Sequence, residues 1–87
     1  MKHIVITGGT RGIGFGLVRE FLIRGFNVSF CGTTDRSVVN AMDKLTEQWS
    51  PKKFRGVVCD VAKNEDLLNL WDFSTKIFGE VNIWINN

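Results

Sequence analysis

The chain has 87 residues, of which 44% are hydrophobic and 23% are charged, and its formal net charge is +2. This balance is typical of a soluble globular domain, and the length suits one unit rather than several. A net charge this small gives no support for a nucleic acid or a membrane as partner, so the charged partner we expect is a small anion held at one site.

The apolar pattern predicts strands that alternate with helices along the whole chain. In order, we predict a strand over residues 3–7, a helix over 12–24, a strand over 27–31, a helix over 36–48, a strand over 54–59, a helix over 64–78 and a strand over 81–85. Gly25 and Gly79 follow the first and third helices, where glycine often ends a helix, and Pro51 limits the second. The alternation predicts an α/β, Rossmann-type doubly wound parallel sheet, with the fourth strand beside the first.

Apolar residues at helical spacing define the face that each helix turns to the sheet. The residues expected to face inward are Ile13, Leu17, Val18, Phe21 and Leu22 in the first helix, Val38, Val39, Met42 and Leu45 in the second, and Leu67, Leu68, Leu70, Trp71 and Ile77 in the third. His3 precedes the apolar part of the first strand, and we expect it to be solvated.

The cysteines and the N-terminus bear on the cellular compartment. Cys31 and Cys59 have the spacing of neither a metal site nor a redox pair, so we expect reduced, half-buried thiols and no metal. The apolar run over residues 4–6 is too short for a signal-peptide core or a bilayer span. We therefore expect a cytoplasmic protein.

A glycine-rich turn over residues 8–14 connects the first strand to the first helix. The pyrophosphate of a dinucleotide binds at a helix N-terminus because free backbone N–H groups and the helix dipole favour negative charge. We expect Gly8 to allow the turn, Gly12 the close approach of the ligand, and Gly14 the packing of helix against strand. The spacing Gly-x-x-x-Gly-x-Gly differs from the common Gly-x-Gly-x-x-Gly, so a glycine-rich loop without a ligand is the alternative. The cofactor-binding residues predicted in this turn are Gly8, Gly9, Thr10, Arg11, Gly12, Ile13 and Gly14.

Three segments, each at the expected place, resemble the short-chain dehydrogenase/reductase family. The run from Thr7 to Gly14 is similar to its Thr-Gly-x-x-x-Gly-x-Gly signature, Asp60-Val61 to its Asp-Val, and Asn86-Asn87 to the start of its Asn-Asn-Ala-Gly motif. The resemblance covers residues 1–87 as the N-terminal part of a single NAD(P)-binding Rossmann domain. It implies that Asp60 contacts the adenine ring, that Val61 beside it belongs to the cofactor site, and that the backbone of Asn87 borders a ribose. We expect Asn86 to tie neighbouring strands by hydrogen bonds. For Asp60, an ordinary turn residue before a helix is the alternative.

The choice between the nicotinamide cofactors depends on the end of the second strand. An NAD site usually holds the adenosine ribose with an acid roughly 20 residues past the glycines. Gly32 falls at that place, and Arg11 can bind a 2′-phosphate through a charge-assisted hydrogen bond. Thr33 and Thr34 offer hydroxyls and Arg36 a second charge, so NADP is favoured. If Asp35 is instead the ribose acid, the cofactor is NAD.

The resemblance implies an NAD(P)-dependent oxidoreductase that interconverts a small-molecule carbonyl and an alcohol by hydride transfer, within a homo-oligomer. The family's catalytic Tyr-x-x-x-Lys pair has no counterpart here, because the chain has no tyrosine. No catalytic residue is therefore predicted. Three alternatives stay open. One is a non-catalytic module that binds NADP or an adenine nucleotide, another is a fragment that self-associates through the apolar fourth strand at the sheet edge, and the third is an interaction domain that keeps the fold but binds no nucleotide.

Overall fold

A computed structural model describes residues 2–87 and shows strands and helices in strict alternation. The elements are β1 (His3–Ile6), α1 (Gly12–Ile23), β2 (Asn27–Gly32), α2 (Asp35–Leu45), β3 (Phe54–Val58), α3 (Asn64–Phe78) and β4 (Ile83–Ile85). The strands are parallel and form one sheet in the order β3-β2-β1-β4. The predicted α/β class and the place of β4 beside β1 are confirmed.

Helices cover both faces of the sheet. On one face, β1 contributes Ile4 and Ile6 to a core shared with α1 and α2. On the other face, Val5 packs with Cys31, Cys59 and with Leu70 of α3. Neighbouring residues of a strand point to opposite faces, so a strand covered on both sides is mostly apolar. This is why residues 4–6 form a continuous apolar run.

Fewer helical residues are buried against the sheet than the apolar pattern of the sequence predicts. The buried residues are Gly14, Val18 and Leu22 in α1, Val38, Ala41 and Leu45 in α2, and Leu70 and Ser74 in α3. Several residues expected to face inward are exposed: Ile13 (79%), Leu68 (67%), Trp71 (47%), Val39 (40%) and Ile77 (40%). Three of these buried residues are small, Gly14, Ala41 and Ser74, and the apolar spacing in the sequence did not identify them. None of the helices within residues 2–87 has the length and apolar character needed to cross a bilayer.

Side-chain contacts set several element boundaries that differ from the predicted ones. α2 begins at Asp35 because the Thr34 hydroxyl accepts a hydrogen bond from the Ser37 N–H at 3.2 Å, as an N-cap residue does. β4 is limited to Ile83–Ile85, since Asn82 just before it forms a side-chain bond, its Oδ1 accepting from the His3 N–H at 2.9 Å. Thr7 lies outside β1 and belongs to the turn.

The expectation that His3 is solvated was wrong, because its side chain is fully buried. His3 Nε2 forms a 2.8 Å hydrogen bond with Ser29 Oγ, and the ring meets Phe78 edge-on at 5.1 Å between centroids. The end of α3 and the segment before β4 pack over this edge of the sheet. Burial lowers the pKa of His3 below its ordinary 6.5, because it penalises the charged imidazolium.

This burial gives the fold a dependence on acid pH. Above about pH 6.5 His3 is neutral in both states, whereas below it the unfolded chain takes up a proton that the folded protein resists. We expect the free energy of unfolding to fall as pH drops from 6.5 towards the depressed pKa of His3 in the folded state. For one proton, the slope of this decrease cannot exceed about 1.4 kcal/mol per pH unit. Urea unfolding of the full-length protein between pH 7.5 and 5.5, compared with His3→Gln, measures this. Equal pH slopes for the two proteins would contradict the assignment.

Candidate cofactor-binding site

A cleft of about 370 Å³ opens at the carboxyl ends of the strands, between the glycine turn and the start of α2. In doubly wound sheets, ligands bind outside the carboxyl ends of the strands where the strand order reverses, and β1 has β2 on one side and β4 on the other. Its lining residues are Gly8, Thr10, Arg11, Cys31, Gly32, Thr33, Thr34, Ser37, Cys59, Val61 and Asn87. Six of the predicted site residues are brought together here: Gly8, Thr10, Arg11, Thr33, Val61 and Asn87.

Bonds to both neighbouring strands fix the glycine turn in place. The Gly9 N–H donates to the Cys31 carbonyl at 2.9 Å, and the Thr7 N–H donates to the Ile85 carbonyl at 3.0 Å. Gly8 and Gly12 both have a φ of 61°, in the left-handed region that favours glycine. Gly9 lies behind the cleft wall, where a Cβ would come 2.7 Å from the Cβ of Phe30.

Gly14 does not line the cleft but allows α1 to begin against the turn. A Cβ at this position would collide with the Gly8 carbonyl oxygen and would lie 2.6 Å from Asn87 Nδ2. Gly14 therefore packs against the turn itself rather than against the body of a strand. Around Gly12, by contrast, a Cβ would meet nothing within 4 Å, so conformation rather than crowding explains that glycine.

The start of α1 is electrostatically suited to an anion. Its N-cap residue, Arg11, makes no side-chain cap hydrogen bond, and its first turn contains no acid. The first backbone N–H groups of a helix have no partner within the helix, and they carry the positive end of its dipole. α2 differs because Thr34 caps its N-terminus and Asp35 lies in its first turn. The first turn of α3 contains two acidic residues. Of the three helices, α1 alone leaves this positive end uncompensated within the described residues.

Two neutral thiols contribute to the cleft wall. Cys31 and Cys59 are free and exposed by only 1% and 3%, so they are fully buried rather than half-buried as expected. Burial raises the pKa of both thiols, that of Cys59 to about 12. They therefore stay protonated at neutral pH and form a weakly polar surface rather than a nucleophile.

The carboxylate of Asp60 lies in a turn. Its Oδ1 accepts a 3.0 Å bond from the Ala62 N–H, as aspartate commonly does in turns. Cys59 and Val61, on either side of it, line the cleft, whereas Asp60 itself does not. The geometry thus favours the turn role that the sequence left as the alternative, and contact between Asp60 and an adenine ring stays a prediction.

The two asparagines after β4 have roles that differ from those expected. We expected Asn86 to tie neighbouring strands, but its Oδ1 accepts from Trp84 Nε1 at 2.8 Å on its own strand. Asn87 instead links the end of β4 to the turn after β1. Its N–H donates to Thr7 Oγ1 at 3.0 Å, and its Nδ2 donates to the Gly8 carbonyl at 3.1 Å. Two adjacent asparagines look alike in a sequence, and only the direction of each side chain separates them.

A glycine occupies the position of the expected ribose acid, and a side chain there would have to displace Thr10. Gly32 is the last residue of β2, and a Cβ there would collide with Thr10 Cγ2 and lie 3.0 Å from Ser37 Oγ. Among residues 2–87, no carboxylate lines the cleft, and Arg11 is its one charged lining residue. Asp35 is exposed at the start of α2 and is not among the lining residues. Ser37 was not predicted, although its place three residues after the Thr34 cap was a signal for it.

Comparison with known proteins identifies the family. The family description "short chain dehydrogenase" matches residues 2–87. The chain belongs to the short-chain dehydrogenase family. It is 38% identical to the chloroplastic chlorophyll(ide) b reductase NOL of Oryza sativa subsp. japonica, over 98% of this chain but only 25% of that protein. The chain therefore spans about a quarter of the length of this relative.

A comparison with solved structures supports the same family. A putative short-chain dehydrogenase from Novosphingobium aromaticivorans superposes with a TM-score of 0.91 at 32% identity, over 95% of this chain and 30% of that chain. The N-domain of a bacterial malonyl-CoA reductase, solved with NADP, has a TM-score of 0.89 at 25% identity, over 99% of this chain and 16% of that chain. The sheet and helices described above therefore recur in both of these solved structures.

Proposed function

We propose that this chain supplies the adenosine and pyrophosphate site of an NAD(P)-dependent oxidoreductase that interconverts a carbonyl and an alcohol. The observation that carries the proposal is the N-terminus of α1, whose positive dipole end has neither a capping side chain nor an acid in the first turn. It packs so closely on the glycine turn that Gly14 has no room for a side chain. Membership of a dehydrogenase family supports the reaction type. When bound, the nicotinamide ring accepts or supplies the hydride.

The residues present fit such a cofactor. The cleft has no carboxylate to repel phosphate, and the first N–H groups of α1 favour an anion. We assign the pyrophosphate to the turn, including the predicted residues Gly12 and Ile13, whose side chain is 79% exposed. The adenosine lies against Gly32, Thr33 and Val61 in this proposal, and Asn87 borders the site.

NADP is the preferred cofactor in this proposal. Residue 32 at the end of β2 is a glycine and supplies no carboxylate, and Asp35 does not line the cleft. An acid that accepts hydrogen bonds from the ribose hydroxyls is what usually selects NAD, and Arg11 instead offers a cation for a 2′-phosphate. The NADP in the structure of the malonyl-CoA reductase N-domain gives further support.

Arg11→Gln tests the cofactor site. A charge-assisted hydrogen bond contributes about 1.5–3 kcal/mol, so we expect NADP+ to bind about tenfold to a hundredfold more weakly and NAD+ to change by less than about threefold. Isothermal titration calorimetry of the full-length protein with each dinucleotide measures both affinities. Arg19→Gln is the control, because Arg19 is exposed on α1 and does not line the cleft.

The outcomes separate the candidate functions. Selective loss of NADP+ binding in Arg11→Gln, but not in Arg19→Gln, supports the proposal. If the unchanged protein binds neither dinucleotide, the cofactor site is wrong and the self-associating fragment is favoured. If it binds NADP+ but catalyses no NADPH-dependent reduction of any carbonyl tested, the non-catalytic module is favoured.

The remaining parts of the proposal concern the complete protein. Its substrate is a small-molecule carbonyl or alcohol, and its assembly is a homo-oligomer, as the family resemblance implies. A cytoplasmic location stays a prediction from the sequence. The name of the rice relative assigns that protein to the chloroplast.

A further inference from the structure

The two thiols of the cleft wall form a pair that the proposed cofactor site does not use. Cys31 lies on β2, and Cys59 follows the end of β3. The Cys59 N–H donates to the Gly32 carbonyl at 2.9 Å, which continues the parallel ladder just past β3. Cys31 is paired with Val57, so Cys59 comes two residues after that partner and its side chain points to the same face of the sheet. The two cysteines are therefore diagonal neighbours on the face that α3 covers.

Contacts beneath the cleft hold the pair in place. Both cysteines belong to one buried cluster with Leu70 of α3, and both line the cleft. Cys59 Sγ donates to the carbonyl of Asp66, in the first turn of α3, at 3.5 Å. Burial is the main cause of the raised pKa of Cys59, and a charge interaction and a hydrogen bond with the Cys31 thiol add to it. The two thiols are thus in contact, and the cleft is the side from which a ligand reaches them.

A direct disulfide does not suit this arrangement. Neighbouring strands lie about 4.8 Å apart and a strand rises about 3.3 Å per residue, so the Cα atoms of diagonal neighbours are about 8 Å apart. A disulfide usually joins residues whose Cα atoms are about 4.4–6.8 Å apart. An atom bonded to both sulfurs spans a wider gap, because two bonds join the sulfurs instead of one. The geometry therefore favours a ligand that bridges the pair through a single atom.

The surroundings of the pair favour a neutral ligand over a metal cation. A metal ion binds thiolates, so both thiol protons must be released. Burial raises the pKa of both thiols, and the charges of Asp66 and Asp60 raise that of Cys59 further, which opposes this release. Residues 2–87 contain no group of three or more His, Cys, Asp or Glu side chains that could hold a metal ion. A neutral molecule whose leaving groups take up the thiol protons meets neither obstacle.

We propose that Cys31 and Cys59 form a two-thiol site for a small trivalent arsenical that carries one organic group and two hydroxyl groups. Each sulfur donates an electron pair to arsenic and forms an As–S bond while an As–O bond breaks. Each thiol proton passes to the departing hydroxide, so the products are one arsenic bonded to both sulfurs and two molecules of water, and no atom is oxidised or reduced. The cleft, of about 370 Å³, has room for a methyl group on the arsenic. The site is independent of the proposed function, except that a bound dinucleotide would cover it.

Methylarsonous acid, added to the full-length protein, tests the proposal. Glutathione in excess competes as a monothiol, and the reaction is followed until it stops, because a neutral thiol is a weak nucleophile. Trypsin cuts after arginine and lysine, so the two cysteines lie in separate peptides, residues 25–36 and 56–63. Mass spectrometry without a dithiol reductant should find these two peptides joined through one methylarsenic group, and a dithiol reductant should separate them.

Cys31→Ser and Cys59→Ser each leave a single thiol in the cleft. Two thiols held side by side act at a much higher effective concentration than free thiols, so we expect each variant to retain at least about tenfold less arsenic against the same glutathione. The unchanged protein unfolded in urea is the control for geometry. Its cysteines are separated by flexible chain over residues 32–58, and closing that loop costs entropy, so the bridge should form less readily.

The outcomes separate this site from the proposed function. The absence of joined peptides in the folded protein, or an equal yield of them in urea, would overturn the proposal. Equal retention of arsenic by the unchanged protein and a folded serine variant would also overturn it, and if neither variant folds, the peptide map of the unchanged protein decides. Saturating NADP+ should slow the bridging. If the bridge forms equally fast with NADP+ bound, the two-thiol site stands and the assignment of the adenosine to a place beside Val61 fails.

Discussion

Gly14→Ala is expected to destabilise the protein by about 3 kcal/mol, at the upper end of the cost of overpacking, and to abolish dinucleotide binding. The added methyl group would collide with the Gly8 carbonyl oxygen, which belongs to backbone and cannot rotate away as a side chain can. It would also press on Asn87 Nδ2, which donates to that same carbonyl at 3.1 Å. To make room, the start of α1 must separate from the turn, and the anion site at its N-terminus is then lost.

Urea unfolding and calorimetric titration with NADP+ measure both consequences in the full-length protein. Gly16→Ala is the matched control, because Gly16 lies in the same helix and a Cβ there would meet nothing within 4 Å. Alanine in the interior of a helix is more favourable than glycine by about 0.5–1 kcal/mol, so this variant should be slightly more stable. If the two alanine variants have equal stability and equal affinity for NADP+, the close packing described at Gly14 is wrong.

Phe30→Ala is expected to lower the free energy of unfolding by about 3–5 kcal/mol, the usual range for removing a buried aromatic ring. Phe30 lies on β2 with no exposed surface, and its Cβ and ring flank two glycines. A Cβ on Gly9 would come 2.7 Å from the Phe30 Cβ, and one on Gly56 would come 2.8 Å from the ring. The ring thus fills the space between the back of the glycine turn and β3, and its removal leaves a cavity there.

Two further substitutions serve as controls for the effect of Phe30→Ala on stability. Phe30→Leu keeps most of the apolar volume and should have a much smaller effect, about 1 kcal/mol. Ile23→Ala removes a side chain that is 65% exposed in α1, and it should change stability by less than about 0.5 kcal/mol. Equal unfolding midpoints for Phe30→Ala and Ile23→Ala would contradict the position of Phe30 in the core.

The candidate site was predictable where its residues are contiguous. The turn between β1 and α1 needs a left-handed conformation at Gly8 and Gly12, and glycine is the residue that adopts it at least cost. The carboxyl ends of parallel strands meet at one edge, so Thr33 and Val61 could be placed beside the turn from strand order alone. What could not be predicted was contact between separate segments, such as Thr10 against Gly32, where an acid was expected in an NAD site.

The number, type and order of the strands and helices and the parallel sheet could be predicted, because they follow from local periodicity and from short-range turn chemistry. Burial could not be predicted in this way. His3 is buried only because the end of α3 and the segment before β4 pack over it, and Leu68 is 67% exposed although its spacing matches the inward face. Which side chain is covered, and which of two asparagines reaches the turn, depends on groups far away in the chain, and only the tertiary structure brings them together.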